Sequence, residues 1–223
     1  MADPVVEAAT TNASWCDAVC RALGLTTRWA SDARTVAERS PAGYPDAVTL
    51  SRDAEAAAVL KRVEDGPGCS VKDSFAVLDL EPSGFHVLFE ATWIRRAATA
   101  GAGSAITLDW HGVQTRADLK QWSDVHGLDV FVPSLLDSDD LRFYGTGLAD
   151  GAGFALNRDG GVVCASNVFA GSADLVAVWS DLIVVAARTH PGLDLVGYEF
   201  GADLQAALAV GFDGIGPLQV WMR

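Results

Sequence analysis

The sequence predicts an α+β protein organised around a mixed sheet, and three observations lead there. Half of its 223 residues are apolar, enough to build a sizeable core. Segments with apolar residues three and four apart alternate with short apolar or β-branched runs, so helices and strands interleave along the chain. Glycine and proline clusters punctuate the junctions, and such interleaved elements fold as helices packed on a sheet.

Taken in order, residues 1–12 read as a frayed tail. "ASWCDAVCRALG" then places Trp15, Val19, Ala22 and Leu23 at helical spacing, with Gly24 as a stop. After "SPAGYPD", the run "AVTLS" predicts a strand, and "SRDAEAAAVLKRVEDGPG" predicts a helix capped by Ser51 and ended by Gly-Pro-Gly. "SFAVLDL" and "GFHVLFEATWI" follow as two strands, which "EPSG" would join as a hairpin. The small, weakly patterned "RRAATAGAGSA" (95–105) is the linker candidate, giving an N-terminal α/β module over 1–105 and a second domain over 106–223.

The second part restarts with the strand "ITLDWHGV". Thr115, with Asp118 three residues later in capping-box position, opens a helix over "RADLKQWSDVHG" with Leu119, Trp122 and Val125 on one face. "GTGLADGAG" is a glycine-rich connector that lacks the spacing of a phosphate-binding fingerprint. "FALNRDGGVVCAS" predicts a hairpin turning at Arg158 to Gly161, and Ser172 would cap a helix to Thr189 lined by Leu175, Val178, Trp179, Leu182 and Ile183. A strand, a helix and a last strand close the chain over 196–221.

Composition removes several classes of function. The net charge of −13 and only 16 Lys and Arg argue against nucleic-acid or anionic-membrane partners and suit a small amine. Cys16, Cys20, Cys69 and Cys164 form no CxxC pair and have no matching histidine spacing, so no metal site is predicted. With no secretion-type leader and no run of about 18 apolar residues, the expected location is cytoplasmic, as a monomer or homodimer. His111 and His126, flanking the third helix, read as surface or capping residues.

From residue 153 on, the order hairpin, long helix, "LDLVGYE", "ADLQAALAV", Gly211-Phe212 and "GPLQVW" resembles the GNAT superfamily of N-acetyltransferases. The likeness extends to residues 106–223, and the first half looks like the closing part of a second, degenerate unit. The resemblance implies a GNAT-like acyl-CoA N-acyltransferase fold with strands splayed near Ala165 and Leu195, acetyl-CoA as donor and a small amine as acceptor. It assigns donor binding to Cys164, Ser166, Asn167, Phe169, Gly171 and Ser172, around the loop "SNVFAGSADL". That loop lacks the family's leading Arg or Gln and its second glycine, and Asp174 sits in the first turn where a phosphate would be repelled.

The family's tyrosine acid falls on Ala207 here, which leaves Tyr198 as the candidate replacement. Glu199 and Glu90 interrupt apolar strands and are the candidate bases, although strand-end glutamates are also commonly solvated. The alternative to acyl transfer is a GNAT-like module that binds, or runs another reaction, in the same cleft.

Overall fold

The computed structural model describes residues 3–98, 105–147, 149 and 151–223. In chain order the first elements are α1 (Pro4–Ala22), β1 (Thr27–Trp29), β2 (Ala33–Val36), β3 (Ala47–Thr49), α2 (Ala56–Leu60), β4 (Ser70–Asp73) and β5 (His86–Arg96). They are followed by β6 (His111–Gly112), α3 (Arg116–His126), β7 (Leu141–Gly145), β8 (Gly153–Asp159), β9 (Val162–Phe169), α4 (Leu175–Thr189), β10 (Asp194–Glu199), α5 (Gly201–Ala209) and β11 (Asp213–Met222). The chain divides into two compact units, one reaching to Trp93 and taking in Ile215–Arg223, the other running from Ile94 to Gly214. This differs from a boundary at 105/106, because the last strand leaves the second unit to join the first. Residues 99–104 of the linker candidate, like Leu148 and Asp150 of the glycine-rich connector, lie outside the described residues.

The first unit holds strands in the order β1-β2-β3-β4-β11-β5. Its N-terminus corrects the expected tail. Asp3 caps α1 by accepting from the Val5 N–H at 2.9 Å, proline occupies the first turn, and Val5, Ala8, Ala9 and Ala13 are buried. Small residues hide the amphipathic stripe from sequence reading, since alanine and threonine carry little apolar contrast. Helix α2 is shorter than expected. The Ser51 hydroxyl accepts from Asp53 N instead of capping, and Glu55 takes the cap position.

Strands β3 and β4 run parallel across α2, with Ala47 opposite Val71 and Val48 opposite Lys72. The expected strand 74–80 is a turn. The fully buried Asp73 carboxylate accepts from the N–H groups of Phe75, Val77 and Leu78 at 3.2, 2.7 and 2.7 Å, which folds the backbone away from a ladder. Nor does 81–84 make a hairpin, because β11 lies between β4 and β5.

The second unit holds the order β10-β9-β8-β7-β6, with the end of β5 beyond β10. From β6 to β9 pairing is antiparallel, and β9 and β10 run parallel across α4. Ile94, Phe154, Leu156, Val163, Trp179, Leu182 and Phe212 form its core, and burial of side chains of this size contributes about 1.5–3 kcal/mol each. Gly211, at φ +91°, ends α5 in the left-handed region, and Phe212 packs edge-on against Trp179 at 5.3 Å.

The expected strand 106–113 shrinks to His111–Gly112. The stretch before it answers to one side chain. Fully buried Asp181 on α4 accepts from Thr107 N and Oγ1, Leu108 N and Trp110 Nε1, all at 2.8 to 3.0 Å.

Candidate functional site

Two places in the second unit combine chemistry with access. The first is the C-terminal end of the β9/β10 pair. Its ladder runs from Asp194 opposite Val162 to Val196 opposite Cys164 and stops there. Gly197 explains how closely the chains still approach, since a Cβ on it would lie 3.0 Å from the Ala165 carbonyl oxygen. On the other side of β9 the register to β8 jumps between Ala155 opposite Ser166 and Gly153 opposite Phe169. Asn167 sits within this bulge at φ +54°, a conformation asparagine tolerates better than most residues. The strand is thereby re-aimed beyond its last paired residues, whereas Leu195, where the resemblance places a splay, stays paired with Val163.

Glu199 ends β10 beyond this ladder, half-buried. Burial, and then the neighbouring Asp203 carboxylate in the first turn of α5, push its carboxyl up from 4.5 to about 8. Burial raises Asp203 as well. Tyr198 is half-buried and, by strand alternation, faces the side opposite Glu199. Ser166 is buried and its hydroxyl lies 3.5 Å from the thiol of Cys164, which is fully enclosed and so backs Ser166 rather than presenting itself.

Glu90 lies exposed on β5 in the first unit and accepts from Gln219 Nε2 at 3.0 Å.

The loop after β9 departs from what a pyrophosphate needs. Gly171, at φ +54°, and exposed Ser172 form a tight turn closed by Ala173 N donating to Ala170 O. The cap of α4 is Asp174 rather than Ser172, and its carboxylate accepts from Ala177 N at 3.1 Å. One of the few donors at the helix N-terminus is therefore already used by an anion, and a second anion would meet its charge. At this helix end the residues present do not fit the pyrophosphate of coenzyme A. Ala207, where the family acid would stand, is fully buried.

The second place is a cavity of about 230 Å³ between α3, the end of β7 and the start of β8. Trp122, Phe169, Val113 and Val125 give it apolar walls, while Gly145, Gly147 and Gly151 leave its floor bare. Behind the wall, Trp122 meets Phe131, Phe143 and Phe169 edge-on and stacks on His126 at 5.1 Å with only 8° between the planes. His126 is thus a packed ring and not a surface histidine. Its Nδ1 is buried without a hydrogen-bond partner, and burial lowers its pKa below 6.5.

Sequence reading assigns Trp122 and Val125 to the helix core face and the glycine-rich segment to a mere connector, so it misses the cavity they share. The available signal was the pair Gly145 and Gly153 beside large aromatics. A Cβ on Gly153 would fall 2.3 Å from the Phe169 ring and 2.6 Å from Trp122 Nε1. Phe169 alone belongs to both the cavity and the expected donor-binding set. Among the described residues, no group of three or more His, Cys, Asp or Glu is placed to hold a metal, and no helix is long and apolar enough to cross a membrane.

Neither a scan of family models nor a search of curated proteins gives a match. Solved structures do. A GCN5-related N-acetyltransferase from Kribbella flavida superposes with a TM-score of 0.60 at 12% identity, over 94% of each chain. A protein assigned to the GNAT family from Novosphingobium aromaticivorans gives 0.58 at 15%, over 94% of this chain and 96% of its own. A functionally unknown conserved protein from Staphylococcus epidermidis gives 0.51 at 10%, over 70% and 72%. At these identities the likeness is one of fold, and the chain has the GNAT fold.

Proposed function

We propose that this GNAT-fold chain transfers an acyl group, acetyl in the first instance, from a thioester to a small amine, and that the chemistry takes place in its second unit. The observation that carries the reading is Glu199, a carboxyl with a raised pKa at the C-terminal end of β10, beyond the parallel ladder to β9. An ammonium must lose a proton before its nitrogen can attack an acyl carbon, and Glu199 in its ionised form is the group to take it. With a pKa of about 8 it is ionised in roughly a tenth of molecules at pH 7, yet it is basic enough to compete for an ammonium proton. Acetyl-CoA is the donor that the fold suggests. Ser166, Asn167 and Phe169 are the candidates to line its acyl end, with Gly171 and Ser172 next in the chain, whereas the N-terminus of α4 offers its pyrophosphate no seat.

The first unit reads as a second, degenerate copy, since an antiparallel pair, a helix and a parallel strand recur there in the same order. A second functional reading draws on Asp174 and Ala207, which are what a GNAT module without acetyl transfer, acting as a binding or accessory protein, would carry.

Thiol release from acetyl-CoA with a panel of small amines separates the two. Transfer predicts amine-dependent release that rises with pH through about 8 and is lost in Glu199→Gln. Acetyl-CoA at a hundred times its dissociation constant would also add about 2.7 kcal/mol of stability. Absence of both turnover and a thermal shift at millimolar acetyl-CoA overturns the reading.

A further inference from the structure

The cavity beside α3 has the properties of a built binding site. Its volume of about 230 Å³ exceeds the roughly 150 Å³ of an apolar cavity that accepts benzene, so it holds a phenyl or indole group with a short chain. Its aromatic walls are held in place before any ligand arrives. The Trp122 indole N–H donates to Tyr144 O at 2.9 Å, and Phe169 stands 70° to the Trp122 ring at a centroid distance of 5.2 Å. Bare positions at Gly145 and Gly153 let both rings approach the sheet, because a Cβ would meet Trp122 at 3.2 Å in the first case and the Phe169 ring in the second. Rings fixed in this way lose little freedom on binding.

Charge gives the site a sign. Among the described residues lining the cavity there is no Lys or Arg, its histidine, His111, lies 3.3 Å from the Asp109 carboxylate, and Asp118 stands exposed on its rim. The Asp118 carboxylate accepts from Thr115 N at 3.1 Å, and its hydrogen bonds to Thr115 hold its pKa below the ordinary carboxylate value, so it stays anionic at neutral pH. A face of Trp122 attracts cations through its ring quadrupole, and the field of a chain carrying −13 acts in the same direction. Gln121 ties the helix to the loop by donating to Gly147 O at 2.8 Å, which closes the rim beside Asp118.

The geometry points to a binding site for a small cationic amine with a flat aromatic body, the ring seated between Trp122, Phe169 and Val125 and the ammonium at Asp118. Its identification with the acyl acceptor rests on the acyl-transfer reading. The binding itself does not.

Phenethylamine, the anion 3-phenylpropanoate and 1,4-diaminobutane separate the ring from the charge, with titration calorimetry and Trp fluorescence as readouts. Phenethylamine should bind, the anion about tenfold more weakly or worse, and the diamine, which has no ring, at the level of the anion. Asp118→Asn keeps a capping acceptor and should weaken phenethylamine about two- to fivefold, the scale of an exposed charge contact. Val125→Trp fills the cavity from a half-buried helix position and should abolish binding while α-helical circular dichroism is retained.

Equal binding of amine and anion, undiminished binding in a folded Val125→Trp, or no phenethylamine binding by the wild-type chain overturns the site. Amine against anion on the wild type, and wild type against Asp118→Asn for phenethylamine, decide the matter even where Val125→Trp does not fold. Phenethylamine bound but never acylated refutes acyl transfer and leaves the site standing. Acylation of ring-free amines with no binding in the cavity refutes the site and leaves acyl transfer standing.

Discussion

Replacing Glu199 by glutamine should make the protein more stable at pH 8 and leave it nearly unchanged at pH 4.5. In the folded chain the carboxyl holds its proton up to about 8, whereas the unfolded chain releases it near 4.5. Between those values the folded state binds more protons than the unfolded state, so this group's contribution to stability falls as pH rises. It is fully present below 4.5 and is lost once pH passes about 8. A shift of that size corresponds to about 4–5 kcal/mol if every part of it survives. Glu199 keeps some of its surface in water, and about half of that figure, 2–3 kcal/mol, is the expectation at pH 8. For a chain of this length that is about 5–10 °C in Tm. Thermal denaturation of wild type and Glu199→Gln in matched buffers from pH 4.5 to 8.5 gives the difference directly, because every other titrating group is common to both. Parallel curves, or a variant that is the less stable of the two at pH 8, would refute the assignment of a desolvated, protonated carboxyl at the end of β10.

Two further substitutions test neighbouring claims. Asp174→Gly removes the carboxylate from the N-terminus of α4 at a cost of a few tenths of a kcal/mol and should tighten acetyl-CoA binding. Unchanged affinity by calorimetry would mean that the donor does not use this helix end. His126→Phe keeps a ring against Trp122 but removes a group whose pKa lies below 6.5 when folded, so the wild type should lose stability as pH falls below 6.5 and the variant should lose less. Denaturant midpoints at pH 7.5 and 5.5 measure the difference, and identical pH dependence would place His126 in water.

How much of this could be read from the sequence depends on where the controlling interactions lie. The stretch from Gly153 to Phe212 is legible because its signals are local. A Gly-Gly turn, an apolar strand, a 15-residue amphipathic helix and a glycine stop each act within a few residues. Asp174 is legible as an obstacle for the same reason, since a cap reaches only three residues along the chain. Residues 74–80 and 106–110 mislead, because their apolar content resembles a strand while a single buried carboxylate, Asp73 just before the first and Asp181 far from the second, takes their amides. For 106–110 the partner, Asp181, lies more than 70 residues away. The cavity is illegible for a related reason. Trp122, Gly145 and Phe169 are unremarkable one at a time, and only the register of β7, β8 and β9 brings them together. Glu199 stands between these cases, visible as an acid in an apolar strand but without a partner that sequence could supply.

Asp73 lies one residue and Glu199 three residues past the last paired residue of a parallel ladder, one in each unit. Their prospects under mutational drift are opposite. Asp73 holds three backbone amides, so its replacement strands buried donors and selection for folding alone would retain it. Glu199 burdens the fold at neutral pH, so a lineage under no demand but stability would shed it early. On the acyl-transfer reading, that burden is what the second unit bears for its chemistry.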